Sequence, residues 1–243
     1  MWQRHFFQYL ELFFDPPALY ALLTWPKFSF TAYKMISALY KQGIYPQTVI
    51  DVGANYGQFA VAAAKIWPAT QLYAFEPLPQ ATTALQILSD KIENITIHPV
   101  ALGDREGEIP FHVNTYSHAS SCLPLAEAHQ ISFPYAQTCE TISVNITTLD
   151  HIFANKSLNP PILLKLDVQG YESITLQGGK KFLEKVDFVL LETSYRPLYQ
   201  GELLFREILS LMESHGFSFL RPVSFLSSPR TGEILQMDAL FTR

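Results

Sequence analysis

Apolar residues fall in short, uninterrupted runs along most of the chain, and the runs alternate with segments of helical composition. The runs that predict strands are TVIDV, QLYAFEP, ITIHPVAL, PILLKLDV and VDFVLLET. The segments that predict helices are GQFAVAAAKIW, PQATTALQILSDKI, YESITLQGGKKFLE and GELLFREILSLMESHG. Continuous apolar strands separated by helices are typical of a parallel sheet covered on both faces. We therefore predict an α/β fold with a doubly wound, mostly parallel sheet.

Two regions depart from this alternation. Residues 106–149 contain two strand-like runs, GEIPFHVN and ISVNITTLD, around a polar loop without a clear crossover helix, so we interpret them as an insertion over the sheet. The last two runs, FSFLRPV and ILQMDALFTR, are joined by a turn at Pro229 and Gly232. A hairpin at this point requires one strand antiparallel to the others.

Residues 1–46 precede this pattern and are rich in aromatic side chains. Charges at Arg4, Glu11 and Asp15, together with several prolines, interrupt the apolar run, so no transmembrane segment is predicted. We predict a helical extension whose amphipathic helices pack on the domain or on a partner subunit; the second arrangement would make the protein a homo-oligomer. Contact with a membrane surface is disfavoured because the polar positions lack a Lys/Arg cluster.

Composition narrows the class of protein. The chain has 243 residues, which suits one α/β domain, at residues 47–243, plus the extension. Its net charge of −5, with no dense basic patch, does not favour a nucleic-acid partner. The two cysteines, Cys122 and Cys139, lack metal-ligand spacing and are interpreted as reduced thiols of a cytoplasmic protein.

Carboxylates collect where the predicted strands end. Asp51, Glu76, Asp104, Asp167 and Glu192 each lie at or just past a strand terminus. Open parallel sheets bind ligands beyond the carboxyl ends of their strands. The sequence therefore predicts a ligand site at this rim.

The first strand continues into a loop of the form D-x-G-x-N-x-G. Its Gly53 and Gly57 would let a ligand lie against bare backbone, and the following helix would offer free N–H groups. Asp51 could bind an ammonium group, and Glu76 has two oxygens for the hydroxyls of a ribose. The alternative for the glycines is a tight turn with close helix packing.

The ligand that fits is an adenosine derivative other than a dinucleotide. In the dinucleotide motif G-x-G-x-x-G, counted from Gly53, Asn55 and Gln58 stand where the later glycines belong. The spacing suits a smaller ligand that carries an amino acid, and it disfavours a nicotinamide oxidoreductase.

Six segments strengthen this interpretation: DVGANYG, AFEPLP, ALGDREGEI, LLKLDVQGYE, LLETS and LYQGE, in this order between Gln47 and Gly216. Together they resemble the FkbM-type methyltransferases, a branch of the class I S-adenosylmethionine-dependent enzymes. The resemblance implies a Rossmann-like, seven-stranded sheet with an antiparallel last strand and S-adenosyl-L-methionine as cofactor. It also implies O-methylation of a small-molecule or glycan acceptor, often at a sugar hydroxyl. Separately from the resemblance, we predict that the insertion, residues 106–149, lies over the acceptor side.

The resemblance also implies roles for individual residues. The first loop would hold the methionine end of the cofactor, Glu76 the ribose, and Leu102 to Asp104 the adenine, with Asp167 nearest the transferred methyl group. The predicted cofactor-binding residues are Asp51, Gly53, Ala54, Asn55, Gly57, Phe59, Glu76, Pro77, Leu102, Gly103, Asp104 and Asp167.

Transfer to a hydroxyl needs a base, and Asp167 is the first candidate, followed by Glu192. Lys165 lies two residues before Asp167, on the same strand face, and would orient or balance a carboxylate; the alternative is a buried ion pair without a catalytic part. No metal is predicted. The segment HASSC, from His118 to Cys122, would either line the acceptor site or form a solvated loop. A non-catalytic, methyltransferase-like scaffold that binds a partner through its N-terminal helices is the competing function.

Overall fold

A computed structural model describes residues 15–243. The helices in this part of the chain are α1 (Pro16–Thr24), α2 (Phe30–Lys41), α3 (Gln58–Ile66), α4 (Pro79–Ser89), α5 (Glu127–Ser132), α6 (Leu149–Phe153), α7 (Glu172–Gln177), α8 (Lys180–Leu183) and α9 (Phe205–Ser214). The strands are β1 (Thr48–Val52), β2 (Gln71–Phe75), β3 (Ile95–His98), β4 (Ala101–Leu102), β5 (Gly107–Asn114), β6 (Thr138–Thr147), β7 (Ile162–Leu166), β8 (Phe188–Ser194), β9 (Ser218–Ser227) and β10 (Ile234–Thr242).

The central sheet has seven strands in the order β3-β2-β1-β7-β8-β10-β9. Neighbours from β3 to β8 are parallel, whereas β10 is antiparallel to both β8 and β9. The doubly wound parallel sheet, with its antiparallel last strand and terminal hairpin, is confirmed.

Apolar side chains cover both faces of this sheet. On one face, Ile50 and Leu164 pack with α7, α8 and α9; on the other, Val49 and Leu163 pack with α2 and α3. Successive residues of a strand point to opposite faces. A continuous apolar run therefore fills two cores, which is why the strands lack a polar alternation.

The predicted extent of the third strand is wrong. The run 95–103 does not form one strand, because β3 ends at His98 and Ala101 and Leu102 join a second sheet instead. Pro99 lies at the break, and a proline has no N–H to donate to a strand neighbour.

The second sheet has the order β4-β6-β5 and contains both strands of the predicted insertion, residues 106–149. Strands β5 and β6 pair antiparallel, and the segment between them lies over the carboxyl ends of the central strands. The interpretation of these residues as strands around a loop is confirmed.

The described part of the N-terminal extension consists of α1 and α2. The Asp15 carboxylate accepts from Ala18 N at 3.1 Å and Ser29 Oγ accepts from Ala32 N at 3.3 Å, so side chains cap both helices. Ile36 and Leu39 of α2 are fully buried in the same core as Val49. No helix within residues 15–243 is long and apolar enough to cross a membrane. The domain boundary at residue 47 stays a prediction, and the aromatic residues before Asp15 lie outside the described range.

Candidate active site

A crevice opens at the carboxyl ends of β1, β2 and β7. These strands end level with one another, because Val52 pairs with Phe75 on one side and with Leu166 on the other. The loop after β1 supplies Gly53 and Asn55 to its walls, and the end of β2 supplies Glu76.

The two glycines of the first loop are required by the chain itself. A Cβ on Gly53 (φ +77°) would lie 1.8 Å from the carbonyl oxygen of Asp167, and a Cβ on Gly57 (φ +88°) would meet Leu85 and Leu88 at 2.9 and 2.7 Å. The alternative of a tight turn with close helix packing therefore accounts for both positions. Gly53 also lines the crevice, whereas Gly57 does not.

We predict that Gly53→Ala lowers the free energy of unfolding by about 3 kcal/mol or more, since the methyl group must displace backbone and adopt an unfavourable φ. Gly43 is the matched control: its φ is +81° and a Cβ there would meet nothing within 4 Å. Gly43→Ala should cost about 1 kcal/mol. Urea unfolding of the two variants gives the difference, and equal losses would contradict the steric explanation.

Glu76 is buried at the end of β2 and holds two loops together. Its Oε2 accepts from Asn55 N and its Oε1 from Leu78 N, both at 2.8 Å. A carboxylate has about four acceptor positions, so each oxygen can accept a further bond from the crevice. Burial raises the pKa of Glu76 to about 7, although the two backbone bonds oppose the shift.

Asp51 and Lys165 form a buried ion pair beneath the crevice. They are opposite each other in the parallel register of β1 and β7, and Lys165 Nζ lies 2.9 Å from Asp51 Oδ1. The ammonium group that Asp51 binds is thus that of Lys165. Asp51 Oδ2 has no hydrogen-bond partner among residues 15–243. Asp51 is buried and does not line the crevice, so its contact with a ligand, direct or through water, stays a prediction.

Lys165 also reaches the two chain segments that border the crevice. Its Nζ donates to Gly53 O at 3.1 Å and lies 3.5 Å from Asp167 Oδ2. Burial opposes the charge of Lys165, but Asp51 and Asp167 outweigh burial and raise its pKa. Lys165 therefore stays charged, as a buried counter-ion that fixes Asp167, and not as a proton carrier.

Asp167 presents its carboxylate to the crevice, with 36% of the side chain exposed. Gln169 Nε2 donates to Asp167 Oδ1 at 2.6 Å and to Glu192 Oε2 at 2.9 Å, so one amide bridges the two predicted bases. The Tyr199 hydroxyl donates to Gln169 Oε1 at 2.5 Å. Asp167 is thus a fixed carboxylate with free lone pairs on the crevice side.

Glu192 lies behind Gln169 and does not line the crevice. Burial raises the pKa of Glu192 well above its ordinary value, and the charges of Asp167 and Asp238 add to the shift. Asp238 is its direct partner across the antiparallel β8–β10 pair. Glu192 therefore favours its protonated form, and its position makes it a weaker candidate for the base than Asp167.

Glu172 fixes the loop that follows Asp167. Its Oε1 accepts from Val168 N at 2.9 Å and from Gly170 N at 3.3 Å, so the carboxyl group holds the backbone of the loop. Glu172 is also the first residue of α7. The side chain is buried, and burial raises its pKa to about 8.

This raised pKa predicts a pH-dependent stability. Between about pH 4.5 and pH 8 the folded state keeps a proton on Glu172 that the unfolded state has released, so the contribution of this group to stability falls as pH rises. Glu172→Gln keeps an oxygen for both backbone bonds and has no proton to lose. We therefore expect the melting temperature of the variant minus that of the wild type to increase by about 5 °C from pH 5 to pH 8. The exposed change Glu184→Gln is the control, and a pH-independent difference would contradict the assignment.

Several predicted cofactor residues line the crevice and others do not. Asn55, Pro77 and Leu102 line it, together with Gly53, Glu76 and Asp167. Ala54 and Phe59 are buried behind its wall, and the Phe59 ring lies 5.5 Å from Lys165 Nζ. Gly103 and Asp104 lie outside: Gly103 packs against Ile146 and Tyr171, and Asp104 is exposed.

The sequence interpretation missed part of the crevice. Val100 and Ala101 line the side where adenine was expected, because the chain leaves the central sheet before them. Gln169 and Tyr171 also line it, within the segment LLKLDVQGYE, and their position just after a strand end was the available signal. Tyr199, from the LYQGE segment, contacts the site through the hydrogen bond from its hydroxyl to Gln169. The sequence pattern does not predict this tertiary contact.

The loop of the insertion forms the remaining wall. Ser117, His118, Ser120 and Cys122 line the crevice, as the acceptor-site alternative for HASSC predicts. Burial lowers the pKa of His118 and raises that of Cys122 to about 12, so both side chains are neutral near pH 7. Within residues 15–243, no group of three His, Cys, Asp or Glu side chains is placed to hold a metal ion.

Comparison with known proteins agrees with this geometry. The family model for the methyltransferase FkbM domain matches residues 51–219. The chain is 31% identical over 172 residues to the 2-O-methyltransferase NoeI of Sinorhizobium fredii, covering 68% of this chain and 71% of that protein. It is 29% identical over 145 residues to the hexuronic acid methyltransferase AglP of Haloferax volcanii, covering 58% of this chain and 54% of the relative.

The fold agrees with a solved structure as well. The magnesium protoporphyrin IX methyltransferase of Synechocystis with bound SAH superimposes with a TM-score of 0.51 at 11% identity, over 88% of this chain and 82% of that one. At this identity the likeness shows the class I methyltransferase fold alone. The family match spans both sides of the crevice, from Asp51 to Phe219. The chain belongs to the FkbM methyltransferase family.

Proposed function

We propose that this S-adenosylmethionine-dependent methyltransferase transfers a methyl group to a hydroxyl of a sugar, a glycan or a glycosylated metabolite. One observation carries the proposal: Asp167, after β7, lies fixed at the crevice, level with Glu76, which follows β2 on the other side of β1. The crevice is thus lined both by a candidate base, Asp167, and by a carboxylate suited to the ribose, Glu76.

The crevice fits the cofactor. The free lone pairs of Glu76 suit the two ribose hydroxyls, and the apolar side chains of Leu102, Val100 and Pro77 suit an adenine ring. The backbone around Gly53 and Asn55, with Asp51 beneath it, suits the methionine end. When bound, the cofactor supplies an activated methyl group, so the enzyme mainly has to align the acceptor.

Asp167 is suited to the one proton transfer that an alcohol acceptor requires. Its carboxylate accepts the hydroxyl proton, and Lys165 and Gln169 keep that carboxylate aimed at the crevice. Glu192 remains behind the amide as a second, protonated carboxyl. Ser117 and Ser120 offer further hydroxyls near the acceptor.

The sugar acceptor is supported by the two relatives named above, a 2-O-methyltransferase and a hexuronic acid methyltransferase. Residues of the insertion give the crevice a polar wall, which suits a molecule with several hydroxyls. Incubating the enzyme with methyl-labelled cofactor and methyl glycosides of hexoses, hexuronic acids and N-acetylhexosamines tests the proposal. Label in a glycoside is expected; binding of the cofactor without transfer to any glycoside would favour the scaffold function.

Two further assignments remain predictions. Cys122 and Cys139 are unpaired thiols, which fits a cytoplasmic location, and fractionation of cells with an antibody to this chain tests it. Tyr20 and Leu23 of α1 are 67% and 77% exposed among the described residues. Self-association through the N-terminal helices predicts a dimer or larger assembly in analytical ultracentrifugation.

A further inference from the structure

Two tyrosines of the insertion lie exposed beside the crevice. Tyr116 is 48% exposed and Tyr135 is 45% exposed. The Tyr116 ring lies 5.1 Å from the ring of His118, which lines the crevice, and 5.9 Å from the Tyr135 ring. The two tyrosine rings are nearly perpendicular, at 83°. An aromatic surface therefore continues from the crevice wall outward.

The backbone holds both rings in place. Thr115 Oγ1 donates to Tyr135 O at 2.7 Å, and Gln137 N donates to Thr115 Oγ1 at 3.1 Å. Behind Tyr135, the buried ring of Phe133 lies 6.1 Å away. The two rings are exposed although they are anchored to the core, so they form a pre-arranged surface and not a loose loop.

The aromatic surface adjoins the crevice that contains the proposed base. His118 and Asp167 both line the crevice, and the Tyr116 ring lies next to the His118 ring. In agreement with this position, the charge of Asp167, after burial and Tyr135, contributes to a raised pKa of Tyr116.

Exposed rings beside hydroxyl-binding groups match the chemistry of a saccharide. The C–H groups of a pyranose ring carry slight positive charge, and the face of an aromatic ring is negative, so the two stack. Serine and histidine side chains further inside serve the hydroxyl groups. Tyr116 lies next to the crevice-lining His118, and Tyr135 continues the aromatic surface from it.

We propose that Tyr116 and Tyr135 form a stacking platform for the sugar unit next to the one whose hydroxyl faces Asp167, so that the enzyme prefers an oligosaccharide to a single sugar ring. This inference rests on the proposed sugar acceptor. It adds an acceptor subsite whose specificity comes from the insertion.

The test compares two sets of acceptors: the methyl glycosides of glucose, glucuronic acid and N-acetylglucosamine, and the methyl glycosides of the corresponding disaccharides. For the wild type we expect kcat/KM to be about tenfold higher with a disaccharide. The double variant Tyr116→Ala, Tyr135→Ala should lose this preference through KM, with unchanged kcat/KM for the monosaccharide and unchanged affinity for S-adenosylhomocysteine. The double variant to phenylalanine keeps both ring faces and should keep the preference.

The chain offers a matched control in Tyr40 and Tyr45. These rings are also exposed and edge-to-face, at 4.9 Å and 86°, but they lie at the end of α2. Their replacement by alanine should leave the preference intact. Equal kcat/KM for both acceptor lengths in the wild type, or an unchanged preference in the alanine variant, would overturn the platform while the sugar function stands. Transfer to none of the glycosides would overturn the sugar acceptor and the platform together.

Discussion

Replacing Asp167 by asparagine is expected to lower kcat by about a thousandfold, because the amide cannot take the proton of the acceptor hydroxyl. Asparagine keeps the size of the side chain and an oxygen for the bond from Gln169. Affinity for S-adenosylhomocysteine should stay within a few-fold of wild type, since the proton transfer is not part of cofactor binding. Single-turnover rates and calorimetry on the same preparations measure the two effects.

The control for this variant is Asp90→Asn. Asp90 is an exposed carboxylate at the end of α4, so its replacement changes net charge equally without touching the crevice. It should retain full activity. Wild-type kcat in Asp167→Asn would refute the base assignment, and parallel loss of cofactor affinity would instead make Asp167 a binding residue.

Glu76→Gln is expected to weaken binding of S-adenosylhomocysteine by about a hundredfold. The substitution removes the charge that strengthens bonds to the ribose hydroxyls, and it turns an amide NH₂ toward either Asn55 N or Leu78 N, which are both donors. Because the pKa of Glu76 is raised to about 7, affinity in the wild type should increase as pH rises through 7 and the carboxylate forms. Titration calorimetry at several pH values measures both effects.

The variant is compared with Glu93→Gln, which changes an exposed carboxylate just before β3. Glu93→Gln should bind the ligand as the wild type does at every pH. The melting temperature of Glu76→Gln without ligand separates weaker binding from unfolding. Unchanged affinity in a folded Glu76→Gln variant would remove Glu76 from the ribose site.

Much of the fold follows from local chemistry. The run TVIDV is buried along its whole length because helices cover both sheet faces, and such a run predicts a parallel strand directly. The break after His98 was not predicted, because an apolar run does not reveal which sheet will receive its residues. A single proline in that run was the local signal, and it was outweighed by the apolar side chains on either side.

The candidate site was predictable where it depends on strand ends. Asp51, Glu76 and Asp167 came together because β1, β2 and β7 end in register, a consequence of parallel pairing. The partner of Asp51 depends on the same register, because Lys165 is its direct neighbour across β1 and β7. Neither strand's sequence shows that these two strands are neighbours in the sheet. The ion pair of Asp51 with Lys165 therefore could not be predicted from the two segments alone.

The role of the glycines depended on contacts that are distant in sequence. Gly53 and the carbonyl oxygen of Asp167 are more than a hundred residues apart, and only the folded chain shows that they meet. The bridge from Asp167 through Gln169 to Glu192 is likewise a tertiary contact. Sequence spacing placed the carboxylates at one rim, but it could not show that Asp167 lines the crevice whereas Glu192 lies behind Gln169.

The cofactor assignment is tested most directly by a crystal structure of the protein with S-adenosylhomocysteine. We expect the ligand in the crevice, with both ribose hydroxyls in hydrogen-bond range of the Glu76 carboxylate and the sulfur facing the open side next to Asp167. A ligand bound elsewhere, or one whose ribose lies away from Glu76, would contradict it.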